Sequence, residues 1–293
     1  MSQSRHPTRI VESMPTSDGA GVRLKRALGT PRIDMLDPFL MLDEFYSDDA
    51  ADYIKGFPNH PHRGFETVNY MLAGRMEHRD SVGNRGQLEP GSVQWMTAGR
   101  GIIHSEMPQQ RDGLMWGFQL WVNLPASDKM TAPRYQDIPR AEIPVAELPG
   151  GERVKVIAGR YETPEGEVFE GPVGGVATQP LMLDIELKAG EGAAPRSFDL
   201  PAEHNAFVYV FEGVVTLGEG DEAKPIPRGR LAVLSKGERL QAAVADGADA
   251  GRFLLLAGKP IGEPVARYGP FVMNTREELE QAFADYRSGR LAT

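Results

Sequence analysis

The stretch HPHRGFETVNYMLAGRMEH, from His60 to His78, decides how the rest of the chain is interpreted. It opens with two of the chain's six histidines, His60 and His62, and then continues with the apolar content of a β-strand. In an extended strand, successive side chains point to opposite faces, so residues two positions apart share one face. The spacing therefore predicts that both imidazoles project into one space, where they need a common partner.

A second pair with the same spacing, His104 and Glu106, lies in TAGRGIIHSEMP, residues 97–108. If this segment is also a strand of the same small barrel, three imidazoles and one carboxylate face the interior. Such groups are costly to bury unpaired, and a divalent metal removes that cost. Three nitrogens and one oxygen suit Fe²⁺, Mn²⁺, Ni²⁺, Cu²⁺ or Zn²⁺. A lone histidine is more often structural, but two such pairs close in sequence favour a metal site.

The remaining histidines and one further carboxylate are assigned by context. His78 lies in the polar stretch RMEHRD and is predicted to be at the surface, His6 lies in the N-terminal tail, and His204 is predicted to be structural. Glu66 follows His62 by four residues and would share its face on a continuous strand. It could be a fifth ligand, the partner of a histidine N–H, or a buried group paired with an arginine; we favour the histidine partner.

Composition excludes several classes of function. The chain has 293 residues, of which 41% are hydrophobic and 25% charged, as in an ordinary globular protein. The net charge of −9 and the dispersed basic residues argue against direct binding to nucleic acid or an anionic membrane. The chain has no cysteine, which excludes disulfides, thiolate zinc sites and iron–sulfur clusters. No apolar run resembles a signal peptide or a membrane span, so we expect a cytoplasmic location.

Short apolar runs separated by glycine and proline predict an all-β fold. Examples are ETVNYML, WGFQLWVNL, LMLDIEL and RFLLLAG. One amphipathic helix is predicted near the end, in NTREELEQAFADYRSG, with Thr275 and Glu278 at capping-box spacing and Gly289 as its stop. We expect this helix to pack against a barrel without a catalytic role.

The chain also repeats itself. The stretch VNYMLAGRM (68–76) resembles FVYVFEGVV (207–215), and EPGSVQWM (89–96) resembles PRGRLAVL (227–234). Two copies of a strand–Gly–turn–Gly–strand unit predict two tandem barrels. The proline-rich, acidic stretch between them is the predicted linker. The expected domains are therefore 1–135 (metal-binding barrel), 136–150 (linker) and 151–293 (second barrel with the terminal helix).

These residues resemble a known family. The pattern His60-x-His62-x₃-Glu66, followed later by His104, is similar to the two sequence boxes of the cupin superfamily. The stretches DPFLMLDEF (37–45), HPHRGFETVNY (60–70), QWMTAGRGIIHSEMP (94–108) and FQLWVNLP (118–125) resemble the pirins more narrowly. The likeness is strong over about residues 30–125 and looser beyond. It implies two tandem cupin (jelly-roll) barrels with a single metal, usually iron, in the first.

The resemblance places the metal ligands at His60, His62, His104 and Glu106. Typical cupins take their carboxylate from the first box, which would be Glu66, whereas pirins take it from the second. The internal repeat aligns the first-box positions with Asp199, Pro201 and Asn205 and the second-box positions with Ala242 and Val244. The second barrel is therefore predicted to bind no metal of its own.

Two functions follow from the resemblance. Bacterial pirins resemble quercetin 2,3-dioxygenases, which implies a flavonol and dioxygen as substrates, Fe(II) as cofactor and Glu106 as a general base that accepts the flavonol hydroxyl proton. The alternative is a non-catalytic iron-binding regulator whose protein partner is a transcription factor or a metabolic enzyme such as pyruvate dehydrogenase. A purely structural zinc barrel is disfavoured, because closed zinc sites usually employ thiolates.

Overall fold

The structure is a computed structural model that describes residues 3–190 and 194–292. The first strands are β1 (Ser4–Arg5), β2 (Pro7–Glu12), β3 (Met14–Asp18), β4 (Val22–Leu28), β5 (Phe39–Ser47), β6 (Phe57–His62), β7 (Phe65–Ala73), β8 (Met76–Asp80), β9 (Arg85–Leu88), β10 (Val93–Thr97), β11 (Ile102–Pro108), β12 (Met115–Asn123) and β13 (Arg134–Ile138). They are followed by β14 (Val145–Leu148), β15 (Glu152–Ala158), β16 (Arg160–Glu162), β17 (Val168–Glu170), β18 (Leu181–Lys188), β19 (Arg196–Asp199), β20 (Asn205–Leu217), β21 (Lys224–Pro227), β22 (Arg230–Leu234), β23 (Arg239–Val244) and β24 (Ala250–Gly258). The last elements are β25 (Ala266–Tyr268), β26 (Phe271–Met273) and α1 (Arg276–Arg287), and short 3₁₀ helices lie at Ala50–Asp52, Arg140–Glu142 and Gly220–Glu222.

The chain forms two compact units that are not contiguous in sequence. The first unit comprises residues 14–30, 38–140 and 261–292, and the second comprises residues 3–13, 31–37, 141–190 and 194–260. Among the described residues, no helix has both the length and the apolar character that crossing a bilayer requires.

Two antiparallel sheets build the barrel of the first unit. The larger has the strand order β13-β10-β7-β12-β5-β4-β3, and the smaller has the order β6-β11-β8-β9. Their inner faces are in contact, because the side chain of Glu106 on β11 accepts hydrogen bonds from Asn69 on β7 and Gln119 on β12. An apolar cluster fills part of the interior; it consists of Val22, Leu24, Phe45, Tyr53, Phe57, Met71, Met76, Leu88 and Met115. Each large apolar side chain buried there contributes about 1.5–3 kcal/mol to folding.

The C-terminal segment belongs to the first unit. Its strand β26 meets the main barrel through a parallel bridge between Arg63 and Phe271, and α1 packs on it through a small apolar cluster. The capping box predicted for this helix is confirmed, since Thr275 and Glu278 make both reciprocal hydrogen bonds. The expected domains placed this helix with residues 151–293. It instead lies with the first unit, since contacts distant in sequence, which no local pattern encodes, hold it there.

The second unit has an apolar interior. Its sheet follows the order β1-β23-β20-β24-β18-β15-β14, with β2, β19, β21 and β22 joined at its sides. Ala242 lies in the core cluster and Val244 packs against it, at two positions that the repeat aligns with metal ligands. The chain passes between the units at residues 140 and 141, inside the predicted linker 136–150. That stretch differs from an irregular linker, because β13 pairs with β10 and β14 pairs with β15.

Candidate metal centre

Strand pairing brings three predicted ligands together. In the antiparallel pair β6–β11, His104 lies opposite His60, and Ile102 lies opposite His62. The ring centroids are 4.7 Å apart for His60 and His62, 4.4 Å for His60 and His104, and 4.8 Å for His62 and His104. One ring nitrogen from each histidine lies within 4.8 Å of the other two. The i, i+2 spacing on β6 therefore produces the shared face that the sequence predicts.

Three buried nitrogens of this cluster make no hydrogen bond within the described residues. His62 and His104 are 2% and 1% exposed, and neither nitrogen of His62, nor Nε2 of His104, makes a hydrogen bond. The carbonyl of Pro270 lies near the His62 ring, without standard hydrogen-bond geometry. Burial, reinforced by the neighbouring imidazoles, holds the pKa of both histidines well below the usual value. They are therefore neutral near pH 7, which is the state that binds metal.

His60 is oriented by its own strand. It is half-buried, and its Nδ1 lies 2.9 Å from the carbonyl oxygen of Pro58. A carbonyl can only accept, so Nδ1 carries the proton and donates it to Pro58. Nε2 is then the nitrogen of His60 that remains for a metal. Together, three clustered imidazoles, two of them neutral and with unpartnered buried nitrogens, fit a bound divalent metal of the kind that accepts nitrogen donors.

Glu106 lies beside this cluster and is held by two amides. Its carboxylate accepts hydrogen bonds from Asn69 and, at 3.2 Å, from Nε2 of Gln119. It forms a second group with His78 and His104, whose candidate ligand atoms lie within 4.8 Å of one another. The three-histidine group and the Glu106 group thus share His104.

The surface position predicted for His78 is wrong. The residue is 1% exposed and lies directly opposite Glu106 in the β8–β11 pair, so both side chains face the interior. Its Nδ1 is 3.3 Å from Nδ1 of His104, and its ring meets Tyr135 edge-on at 4.9 Å. The sequence did hold a signal for this position, since the buried Met76 precedes it by two residues on the same strand face.

The place predicted for Glu66, beside the histidines, is also wrong. Glu66 and Asn69 lie three residues apart on β7, so their side chains point to opposite faces of the sheet, and Asn69 faces Glu106. Glu66 instead accepts a 2.7 Å hydrogen bond from Thr97, and burial raises its pKa. The prediction counted faces along one continuous strand, whereas Gly64, with φ of +86°, separates β6 from β7.

A cavity of about 640 Å³ opens beside His60 and His62. This volume is within the range of about 300–1,000 Å³ that is typical of small-molecule sites. Apolar side chains supply part of the wall, namely Met41, Phe57, Pro58, Trp121 and Pro270. Trp121 meets the His62 ring edge-on at 5.4 Å. The cavity therefore offers an aromatic surface next to the imidazoles.

The polar side of the cavity is formed by a charge network. Arg26 donates to both oxygens of Asp43, at 2.8 and 2.7 Å, and to Asp18 at 3.0 Å. Arg26, Asp18, Arg267 and Gln119 reach the cavity wall. Gln119 thus has two roles in the structure, since it lines the cavity and also donates to Glu106.

Comparison with known proteins identifies the family. The model of the pirin family matches residues 21–122, and that of the pirin C-terminal cupin domain matches residues 182–292. The chain is 51% identical over 292 residues, the whole of both chains, to a Pseudomonas aeruginosa protein named "Putative quercetin 2,3-dioxygenase".

The chain belongs to the pirin family. It is also 41% identical to pirin from Homo sapiens, over 99% of this chain and 95% of the human one. A solved structure of quercetin 2,3-dioxygenase from Acinetobacter baumannii superposes with a TM-score of 0.86 and 31% identity, covering 99% of each chain. The predicted resemblance and the predicted fold of two cupin domains with a C-terminal helix are therefore confirmed.

Proposed function

We propose that this pirin-family protein is a metal-dependent dioxygenase that opens flavonols, of the quercetin 2,3-dioxygenase type. One observation carries the proposal: three imidazoles lie together, buried nitrogens of His62 and His104 have no partner within the described residues, and His60 and His62 line a cavity that has an aromatic wall. Relatives bearing quercetin dioxygenase names support it at 51% and 42% sequence identity over the whole chain. Dioxygen is the second substrate.

The proposed ligands are His60, His62, His104 and Glu106, and the proposed metal is Fe(II). Three nitrogens and one carboxylate oxygen form a donor set that suits first-row metals, and the absence of cysteine leaves no thiolate to favour a closed zinc site. When bound, such a metal lowers the pKa of a coordinated hydroxyl and supplies redox chemistry with dioxygen.

The protein's own residues orient the substrate and move its proton. The edge of Trp121 and the apolar wall pack against the flat rings of the flavonol, which excludes water from that side. Glu106 accepts the proton of the flavonol hydroxyl. The amides of Asn69 and Gln119 hold the carboxylate of Glu106 in one orientation, so that it is positioned before substrate arrives.

The test is aerobic incubation of iron-loaded protein with quercetin. Loss of flavonol absorbance, uptake of dioxygen and release of carbon monoxide are measured together. Turnover is expected for the wild type and is expected to be lost in His60→Ala and Glu106→Gln. The matched control is Glu66→Gln, which changes a buried carboxylate on the opposite face of β7 and is expected to keep its activity. Full iron occupancy without turnover on any flavonol would instead support the non-catalytic regulator with a protein partner.

A further inference from the structure

We propose that the C-terminal segment, residues 261–292, positions ligands of the metal centre. It fixes the turn that follows His62 and the turn that precedes His104, and so sets the positions of two of the three imidazoles. Arg63 and Asp285 are the positioning residues of this contact. The inference rests on the metal centre of the proposed function and adds to it a segment that lies more than 150 residues away in sequence.

The turn after His62 is held by backbone contacts. The N–H of Val272 donates to the carbonyl of Arg63 at 3.0 Å, and the N–H of Arg63 lies 3.4 Å from the carbonyl of Pro270. A Cβ atom on Gly64 would lie 2.0 Å from the carbonyl oxygen of Val272, so only glycine allows this approach. The chain immediately beyond His62 is thus in direct contact with β26.

One buried side chain joins the helix to both turns. Nη1 of Arg63 donates to Asp285 on α1 at 2.8 Å, and Nε of Arg63 donates to the carbonyl of Arg100. Arg63 is 4% exposed. Its hydrogen bond is the main cause that lowers the pKa of Asp285, which also accepts from Gln281 at 2.8 Å. We expect this ion pair, in which the arginine is buried and Asp285 is partly exposed, to fix geometry more than it adds stability.

The turn before His104 is covered by the end of the chain. A Cβ atom on Gly101 would lie 2.3 Å from the carbonyl oxygen of Leu291. Ile103, next to His104, packs against the cluster formed by Phe271, Ala282 and Leu291. The same segment therefore contacts the chain beside two predicted ligands that lie on different strands.

Lys129 makes a third contact between the C-terminal segment and the turn after His62. Its ammonium group donates to the carbonyls of Gly64 and Val272, at 2.8 and 3.0 Å, and to the side chain of Asn123 at 2.7 Å. These three acceptors use all three donors of a lysine that is 1% exposed. The contact between β26 and the turn after His62 is thus fixed from both the backbone and a buried side chain.

We expect that the contact can loosen without loss of the barrel. Its apolar cluster of Phe271, Ala282 and Leu291 is separate from the apolar cluster that contains Phe57 and Leu88 inside the barrel. Metal sites need ligand atoms within about 0.2 Å of their ideal distances. Loss of an outer partner of a metal ligand typically costs about 10–100-fold in metal affinity. A looser contact is therefore expected to weaken metal binding before it unfolds the protein.

The experiment measures affinity for Co²⁺ and Fe²⁺ by anaerobic competition with a chromophoric chelator. Asp285→Ala and Gly64→Ala are expected to bind each metal about 10–100-fold more weakly than the wild type. Hydrogen exchange of residues 60–64 and 98–104 is expected to speed up in both variants. If Gly64→Ala fails to fold, Asp285→Ala, which changes only one side chain on α1, decides the question.

Three controls separate positioning from general stability. Gly113→Ala changes a glycine with nearly the same φ, +82°, but with open space at its Cβ. Glu280→Ala removes an exposed ion pair from the same helix. Leu88→Ala is expected to destabilise the apolar cluster inside the barrel. All three are expected to keep wild-type affinity. Folded Asp285→Ala protein with wild-type affinity and wild-type exchange would overturn the proposal. A wild type that binds no metal contradicts the proposed function instead, and the exchange of the two turns in metal-free protein then decides the role of the segment.

Discussion

The Nδ1 atoms of His78 and His104 lie 3.3 Å apart in a buried site, and only one of them can carry the proton between them. If Nδ1 of His104 donates and Nδ1 of His78 accepts, the lone pair of His104 is on Nε2, which has no hydrogen-bond partner in the described part of the chain. This tautomer is the one that a metal ligand requires at Nε2. His78 thereby takes the place that a carboxylate or a backbone carbonyl usually occupies behind a metal-binding histidine.

We therefore expect His78→Phe to weaken metal binding by about 10–100-fold while the protein remains folded. Phenylalanine fills the space but accepts no hydrogen bond, so His104 can place its proton on either nitrogen. ¹⁵N NMR of the histidine rings checks the tautomer of His104 directly, and chelator competition checks the affinity. His78→Gln is the companion variant, because its amide oxygen can still accept. Equal affinity in wild type and His78→Phe would rule out this role.

The amides that hold Glu106 give a second prediction. Gln119→Leu keeps most of the side-chain volume but removes the donor to Oε2 of Glu106 and a polar group from the cavity wall. We expect kcat on a flavonol to fall by about 10-fold, a part of the factor of about 10²–10⁴ that a positioned acid or base contributes. Steady-state kinetics of the iron-loaded enzyme measure this. Leu120→Val, a change at the next residue of β12, whose side chain points to the other face, is the matched control. A fall in kcat of the same size in both variants would count against the role of Gln119.

The clustering of His60, His62 and His104 could be predicted, because the first two lie two residues apart within one strand and His104 lies opposite His60. Glu106 lies in a second group, with His78 and His104. The i, i+2 spacing fixes a shared face wherever the strand is continuous. The same rule failed for Glu66, because Gly64 separates β6 from β7, so the alternation of faces along β6 does not continue into β7. The buried position of His78 was missed for a different reason. Its polar neighbours in β8 suggested a surface strand, although the side chain of His78 points inward.

The place of the C-terminal helix could not be read from local sequence. The capping box and the apolar side of α1 predict its existence, but its partner surface is set by contacts such as Arg63 with Asp285, which are 222 residues apart. No periodicity encodes such a pairing. The second barrel was easier to anticipate, because the internal repeat carries a strand pattern that the sheet then follows.

A third prediction concerns the second unit. Arg5 is fully buried and donates to the carbonyls of Pro201, His204, Ser235 and Gly237. Arg5→Met leaves four acceptors without this donor, so we expect the free energy of unfolding to fall by about 3–5 kcal/mol. Urea denaturation measures the change. Arg9→Met, which alters an exposed arginine of β2, is expected to change the free energy of unfolding by less than about 0.5 kcal/mol. Equal effects of the two substitutions would contradict the importance of the buried guanidinium.

The last prediction concerns the acid stability of the metal-free protein. Burial is the first cause that lowers the pKa of His62, His78 and His104. Below about pH 6.5 the unfolded chain binds protons at these histidines that the folded protein does not bind, so the free energy of unfolding falls as the pH falls. Each group contributes at most about 1.4 kcal/mol per pH unit below its unfolded pKa. Urea denaturation between pH 7 and pH 5, with a chelator present, measures the slope. His62→Leu is expected to make this slope shallower, and Leu120→Val, whose side chain points to the other face of β12, is expected to leave it unchanged. An identical slope in His62→Leu would show that His62 is not held neutral by burial.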